Sequence, residues 1–317
     1  MVEVSVICPV FDACPALLRD AVASVLREFQ AAGVEGEVLL VDDASGRPET
    51  RAEMQSMAGI ATLLRMDTNQ GPAAARNRGI AAARGTWLGF LDADDLWQPG
   101  RMAAMHGLMA DPHVAWIGGR HAFLLPDGTL APAPLLASGG VPEGDGLTRR
   151  LLANFWMHLG ATLVRREHVL RINGFGAGLF YGEDVLFLTR LSRVAPLHLI
   201  DREVYAWRRA GSGLTASPMR LGARSLRFLA LAGADPLLRG FRREVGWARY
   251  SARKGLAVNN LRAGRRWAAL RLATTAWLSD PREAPDFVRF LSLLAGRPQA
   301  TPTPYSRAEI FTEETMS

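Results

Sequence analysis

The chain has 317 residues, 49% hydrophobic and 21% charged, enough apolar material for a large core, so wholesale disorder is excluded. Its 37 basic residues are 36 arginines and one lysine, Lys254, which Gly255 follows; a phosphate loop ending Gly-Lys-Ser/Thr is excluded, and a lysine Schiff base has no convincing place. No His-Glu-x-x-His or Gly-x-Ser-x-Gly occurs, which removes the hydrolases built on those motifs.

In chain order, Glu3–Val10 is a β-branched run ended by Pro9, the profile of a buried strand. Pro15 opens a helix with Leu18, Val22, Val25, Leu26 and Phe29 at helical spacing, broken by Gly33 and Gly36. Glu37–Val41 is a second strand running into Asp42-Asp43. A polar helix near 47–58 leads to a third strand, Ala61–Met66. Asn69-Gln70-Gly71-Pro72 turns into an alanine-rich helix, and Thr86–Leu91 is a fourth strand ending at Asp92. This alternation predicts a parallel sheet with helices on both faces, whose ligands bind beyond the carboxyl ends of the strands. Asp12, Asp42-Asp43, Asn69 and Asp92-Ala93-Asp94-Asp95 all fall at those ends.

A methionine-rich helix is expected after Pro99, then a strand near 113–124, a turn at Asp127-Gly128 and a loop over 126–146. A strand at 159–165, helices at 166–172 and from about 183, and a strand at 197–207 follow. From 219 the pattern is helical with interleaved arginines, and 297–317 reads as a flexible tail. Residues 220–300 hold 16 basic and 5 acidic residues, a net of +11, against −5 for the remainder. The basic character therefore belongs to the C-terminal third. Two cysteines, Cys8 and Cys14, make no disulfide framework, and neither a membrane-spanning stretch nor a basic leader is seen, so the expected location is cytoplasmic.

Three carboxylates within four residues at Asp92-Ala93-Asp94-Asp95 repel one another unless a divalent cation or hydrogen-bond donors neutralise them. The cluster reads as a site for Mg²⁺ or Mn²⁺, or as a helix N-cap. An acidic side chain at Asp42-Asp43 can accept from a base imide or a ribose hydroxyl, or simply from its own turn. Arg76 near the start of its helix suits a diphosphate, or is merely solvated. Glu183-Asp184 can favour a helix N-terminus. His158 can touch an acceptor or be structural. Cys8 and Trp156, Trp247, Trp267 and Trp277 read as packing residues.

The stretch Val4–Asp12, the runs Val41–Ser45, Asn69–Ile80 and Phe90–Trp97, and then Asn173-Gly174-Phe175 with Gly182–Val185, resemble the motifs of family 2 glycosyltransferases over about residues 3–215. The resemblance implies a GT-A fold: an α/β, mixed but mostly parallel sheet flanked by helices. The domain would cover 1–218, with a nucleotide half to about 98 and an acceptor half over 99–218, followed by a basic helical extension over 219–296. It implies inverting transfer from a nucleotide sugar, UDP-linked by preference, to a saccharide, lipid-linked or protein acceptor. Pro9, Phe11 and Asp12 would border the base, Asp43 would accept from it, and Arg76 would approach the base or diphosphate. Asp92 would lie near the ribose and share the metal with Asp94, and Asp184 would be the general base.

One departure stands out. Ala210 occupies the place of a histidine the family keeps near the metal or diphosphate; Arg208 or Arg209 would neutralise the diphosphate instead. A non-catalytic nucleotide-sugar-binding or partner-binding protein of the same fold is the alternative reading. Nucleotidylyltransferases are disfavoured because no lysine precedes residue 254, and nicotinamide enzymes because no Gly-x-Gly-x-x-Gly follows the first strand. No nucleic acid is expected as partner. Peripheral contact with the inner face of a membrane through 220–300 is the reading the basic helices invite.

Overall fold

Val4, Val6, Cys8 and Val10 are fully buried in the first strand, because helices cover both faces of the sheet to which it is central. The computed structural model describes residues 2–133, 143–153, 157–176, 178–179, 182–208, 218–279 and 284–295. Two compact units are present: residues 1–147 with 156–210, and residues 148–155 with 211–317.

Among the described residues, the first unit carries a nine-stranded sheet. Its parallel part has the order β3-β2-β1-β4, made by β1 (Val4–Val10), β2 (Gly36–Asp42), β3 (Thr62–Arg65) and β4 (Trp87–Phe90). The connecting helices α1 (Pro15–Ala32), α2 (Pro48–Ser56) and α3 (Pro72–Ala82) each begin on a proline, whose fixed φ suits the first helical position. α1 ends where Gly33 turns left-handed at φ 64°, satisfying the last carbonyls. The alternation read in the sequence is thus present.

Beyond Asp92 the chain forms β5 (Leu96–Trp97), α4 (Arg101–Met109), β6 (Trp116–Leu124), β7 (Leu130–Pro132), α5 (Asp145–Ala153), β8 (Thr162–Arg165), α6 (Arg166–Arg171), α7 (Glu183–Leu191) and β9 (Leu197–Arg208). The sheet continues β4-β8-β6-β9-β5, with β8 antiparallel to both neighbours, β9 parallel to β6, β5 antiparallel to β9, and β7 paired on β6.

Three local expectations change. The strand expected over 159–165 begins as a 3-10 turn, Leu159–Ala161, and becomes β8 only from Thr162. β5 has two residues, too few for any periodicity to mark it, and exists because β9 pairs with it. α5 starts inside the expected loop and buries Leu147 and Leu151, a helical pair hidden in the sequence behind a Pro- and Gly-rich run. Residues 134–142 of that loop and the tail over 297–317 lie outside the described residues.

The second unit is helical: α8 (Pro218–Ala234), a 3-10 segment Pro236–Phe241, α9 (Arg242–Arg262), α10 (Arg266–Ser279) and α11 (Ala284–Leu294). Ala257, Ala269, Ala273 and Phe290 close a small core between its last three helices. Among the described residues, no helix is long and apolar enough to cross a membrane.

Candidate active site

The ends of β1 and β2 form one wall. Phe11 is 52% exposed, and Asp12 beside it holds a left-handed backbone at φ 48°. The Asp12 amide donates to Ser45 Oγ (3.0 Å), and its Oδ1 accepts from the Arg47 amide (2.9 Å). Asp42 accepts from the Ser45 amide (2.8 Å) and from Arg65, so it caps its own turn. Asp43 is buried, and its two oxygens accept the amides of Gln70 and Gly71, each at 2.8 Å. Those two bonds fix the loop that opens α3, where Gly71 has φ 87°. Asp43 thus has a structural task, and each oxygen keeps a second lone pair.

Arg76 is buried on α3 and bridges two acids: Nη2 donates to Asp92 Oδ1 (2.8 Å) and Nη1 to Glu183 Oε1 (2.9 Å). Its guanidinium also lies 5.4 Å from the centroid of Phe175, while its Nε has no partner in the structure. Burial alone would make the guanidinium easier to deprotonate, but Asp92 and Glu183 outweigh it and hold the charge firmly. Burial would likewise raise Asp92, yet Arg76 keeps its carboxyl below the usual range. The expectation set Arg76 against the base or diphosphate; in the structure Nη1 and Nη2 each donate to an acid of the protein, joining the turn after β4 to the start of α7.

That start is stapled from the other side. Asn77 donates to the Phe175 carbonyl (2.9 Å) and accepts the Phe175 amide (2.8 Å). Gly174 is left-handed at φ 62°, and a Cβ there would stand 2.4 Å from Asn77 Oδ1, so only glycine fits. Phe175 stacks on Phe187 of α7 at 4.2 Å and 9°. At the helix end Asp184 is half-buried and accepts from the Val185 amide (2.8 Å). Burial, reinforced by Glu183 next to it, raises its pKa to about 7.

The remaining acids of the turn divide sharply. Asp95 is buried, and both its oxygens are taken: Oδ2 by the Tyr205 hydroxyl (2.8 Å), Oδ1 by the Arg208 amide (2.7 Å). Burial, with Asp92 and Asp94 nearby, pushes it well above the ordinary carboxylate range. The Tyr205 hydroxyl also accepts the Asp92 amide (3.2 Å), and Arg208 Nε donates to the Asp94 carbonyl (2.7 Å). β9 therefore holds the turn in place. The Asp94 side chain stays exposed, and no other described residue donates to its carboxylate, although the surrounding protein and Asp92 raise its pKa.

Asp92, Asp95 and His158 place one ligand-type atom each within 4.8 Å of one another, a group that could suggest a metal. The hydrogen bonds argue against His158 as a ligand. His158 Nδ1 accepts the Gly160 amide (3.1 Å), which puts the proton of the neutral ring on Nε2. Whichever nitrogen faces the carboxylates, no lone pair is free. Burial lowers the His158 pKa to about 4, so the ring is neutral. It stacks on Tyr205 at 4.6 Å, and Trp207 and His121 lie 5.3 and 5.6 Å away. Asp94 and the second oxygen of Asp92 accept no hydrogen bond from another described residue; these are the two acids expected to share a cation.

Several residues of the site carry no signal in the sequence. Arg101 is fully buried without an acid: it donates to the carbonyls of Gly160 (2.5 Å), Thr162 (2.8 Å) and Val204 (3.3 Å) and lies 3.9 Å over Trp97. Burial brings its pKa to about 9, so it remains charged at neutral pH. Tyr205 is equally structural here, and so is Glu183, which the sequence placed at a helix start without its partner Arg76. Pro9 is half-buried at the end of β1. Arg209 and Ala210 lie outside the described residues.

Known proteins are similar in both sequence and fold. A sequence profile described as Glycosyl transferase family 2 matches residues 5–167. The succinoglycan biosynthesis protein ExoU of Rhizobium meliloti is 32% identical over 230 residues, 68% of this chain and 64% of that one. The chain spans less than two thirds of the length of the curated relatives it matches. Residues 1–349 of S. aureus TarS superpose with a TM-score of 0.59 at 16% identity, covering 93% of this chain and 92% of that one. The mannosyltransferase PcManGT from Pyrobaculum calidifontis, solved with GDP-Man and Mn²⁺, gives 0.56 at 20% identity over 93% and 86%. The fold is GT-A, as the sequence motifs implied.

Proposed function

The chain belongs to glycosyl transferase family 2, and from that membership we propose that it moves a sugar, with inversion, from a nucleoside-diphosphate donor to an acceptor hydroxyl. The observation that carries this reading is the Arg76 bridge. It ties Asp92, on the donor side, to Glu183, the neighbour of a carboxylate whose pKa of about 7 suits proton abstraction at neutral pH. In the step proposed, the acceptor oxygen bonds to the anomeric carbon while the bond from that carbon to the diphosphate oxygen breaks. Asp184 takes the hydroxyl proton, and the nucleoside diphosphate leaves with the bonding electrons.

Pro9, Phe11 and Asp12 border the base in this reading, with Asp43 accepting from an imide N–H. A uracil base offers such a group, and TarS has been solved with UDP-GlcNAc, which favours a UDP-sugar. Arg208, held against the turn by Asp94 and Asp95, and Arg209 lend positive charge toward the diphosphate. Asp94 fits a divalent cation because its carboxylate is exposed and accepts nothing from another described residue, and Asp92 keeps one oxygen available. Mn²⁺ or Mg²⁺ bound there would neutralise charge on the leaving diphosphate. The ExoU likeness supports a saccharide acceptor in polysaccharide assembly.

The test is Asp184→Asn, which keeps the size of the side chain and removes its basicity. Turnover should fall about 10²–10⁴-fold while UDP-sugar affinity changes little. A variant with wild-type turnover would remove Asp184 as the base. Wild-type protein that releases no UDP from any UDP-sugar, with acceptors supplied, would favour a non-catalytic binder.

A further inference from the structure

Nothing in glycosyl transfer calls for the charge of the second unit. From Val245 to Ser279, 35 residues carry seven basic side chains and no acidic one. α10 sits in that stretch and has two distinct faces. On the inner face Ala269, Ala273 and Ala276 are buried, and the first two share a core with Ala257 and Phe290. Small side chains there let α10 lie close to its neighbours. Trp277 is also used internally, stacked on Phe287 at 5.2 Å and 7°.

The outer face is different. Trp267, Arg271, Thr275 and Leu278 recur at steps of four, four and three residues, which aligns them in one stripe, and all four are exposed. Trp267 is 84% exposed and Leu278 66%. Arg262, Arg265 and Arg266, exposed as well, crowd the end of the stripe that carries Trp267. An indole left in water among guanidinium groups does nothing for the core. It is the side chain most at home where one edge is apolar and the other wet.

We infer that the outer face of α10 docks on an anionic lipid surface, the helix lying in the plane of the interface. Trp267 and Leu278 seat among the headgroups, and Arg262, Arg265, Arg266 and Arg271 pair with lipid phosphates. At 14 residues α10 is far too short to span a bilayer, so the contact is peripheral. A second copy of the chain is a poor occupant, because the stripe would meet its own positive charge. A nucleic acid would use the arginines and leave Leu278 in water. Vesicle binding is independent of glycosyl transfer and can stand or fall without it.

The experiment is sedimentation of the full chain with vesicles of phosphatidylcholine, pure or mixed with phosphatidylglycerol. The protein should pellet with the mixed vesicles only, and raised salt should release it. R265E/R266E should weaken this partitioning at least about tenfold. W267A, a change at an exposed position that the fold tolerates, should weaken it severalfold with the circular dichroism unchanged. R242E/R243E makes the same change of charge at exposed positions of α9 and should retain most of the binding. Equal loss in both charge reversals would overturn the assignment to α10, since attraction would then be diffuse. Failure to bind mixed vesicles would overturn it outright, as would tighter binding to duplex DNA with the same dependence on Arg265, Arg266 and Trp267.

Discussion

As the base proposed for the transfer, Asp184 would tie turnover to its own proton affinity. With a pKa of about 7, raised first by burial and then by Glu183, it is protonated in mild acid and ionised above neutrality. A base works only when ionised, so turnover in wild type should climb tenfold per pH unit below about 7 and level off above it. In Asp184→Asn the residual rate should lose that limb; a limb that survives would belong to another group. Stability runs the opposite way. A carboxyl whose pKa is higher folded than unfolded binds more protons in the native state, so its contribution falls as pH rises from the ordinary carboxylate range through about 7. A carboxyl of that raised proton affinity is thus held at some cost to the fold at neutral pH.

Among the elements, α4 and β9 do the least visible and most consequential work. Arg101, at the start of α4, ties the Gly160 turn, β8 and β9 through three carbonyls. Gly160 leaves no room for a side chain, since a Cβ would lie 2.2 Å from the Tyr205 ring. Tyr205 then holds Asp95 and the Asp92 amide. Replacing Arg101 by leucine strips three buried carbonyls of their donor while removing one buried charge. The expected loss is about 3 kcal/mol, read as a lowered denaturant midpoint at unchanged slope. An Arg101→Leu protein of wild-type stability would mean those carbonyls find water, and that the turn after β4 does not depend on α4.

At the scale of the molecule, ligand binding and stability share one readout. UDP at about 100 times its Kd should stabilise the protein by about 2.7 kcal/mol, a rise of several degrees in Tm. If the cation bridges Asp94 to the diphosphate, that rise should need Mn²⁺ or Mg²⁺ and should largely vanish in Asp94→Ala. The unliganded Tm of that variant should stay close to wild type, because the side chain is exposed and accepts nothing from another described residue. An equal UDP shift with and without metal would remove the metal-bridged site.

How much of this the residues announce depends on distance along the chain. The alternating strands and helices of the first 90 residues were legible because burial on both faces writes continuous apolar runs, prolines mark helix starts, and glycine marks a helix end. The acids Asp43, Asp92 and Asp94 were legible at the carboxyl ends of those strands, and Arg76 and Asp184 near the starts of helices. Their division of labour was not. Local sequence gives Asp92, Asp94 and Asp95 one character, and only β9, arriving 110 residues later, takes both oxygens of Asp95 and leaves Asp94 open. Arg76 reads as a surface or phosphate-facing arginine until Glu183, 107 residues away, claims its second nitrogen. His158 reads as a possible contact until the Gly160 amide takes its lone pair. Chain order determines which groups exist and near which sheet edge they emerge. Which lone pairs and protons remain free there is decided by partners that only the folded sheet brings within 3 Å.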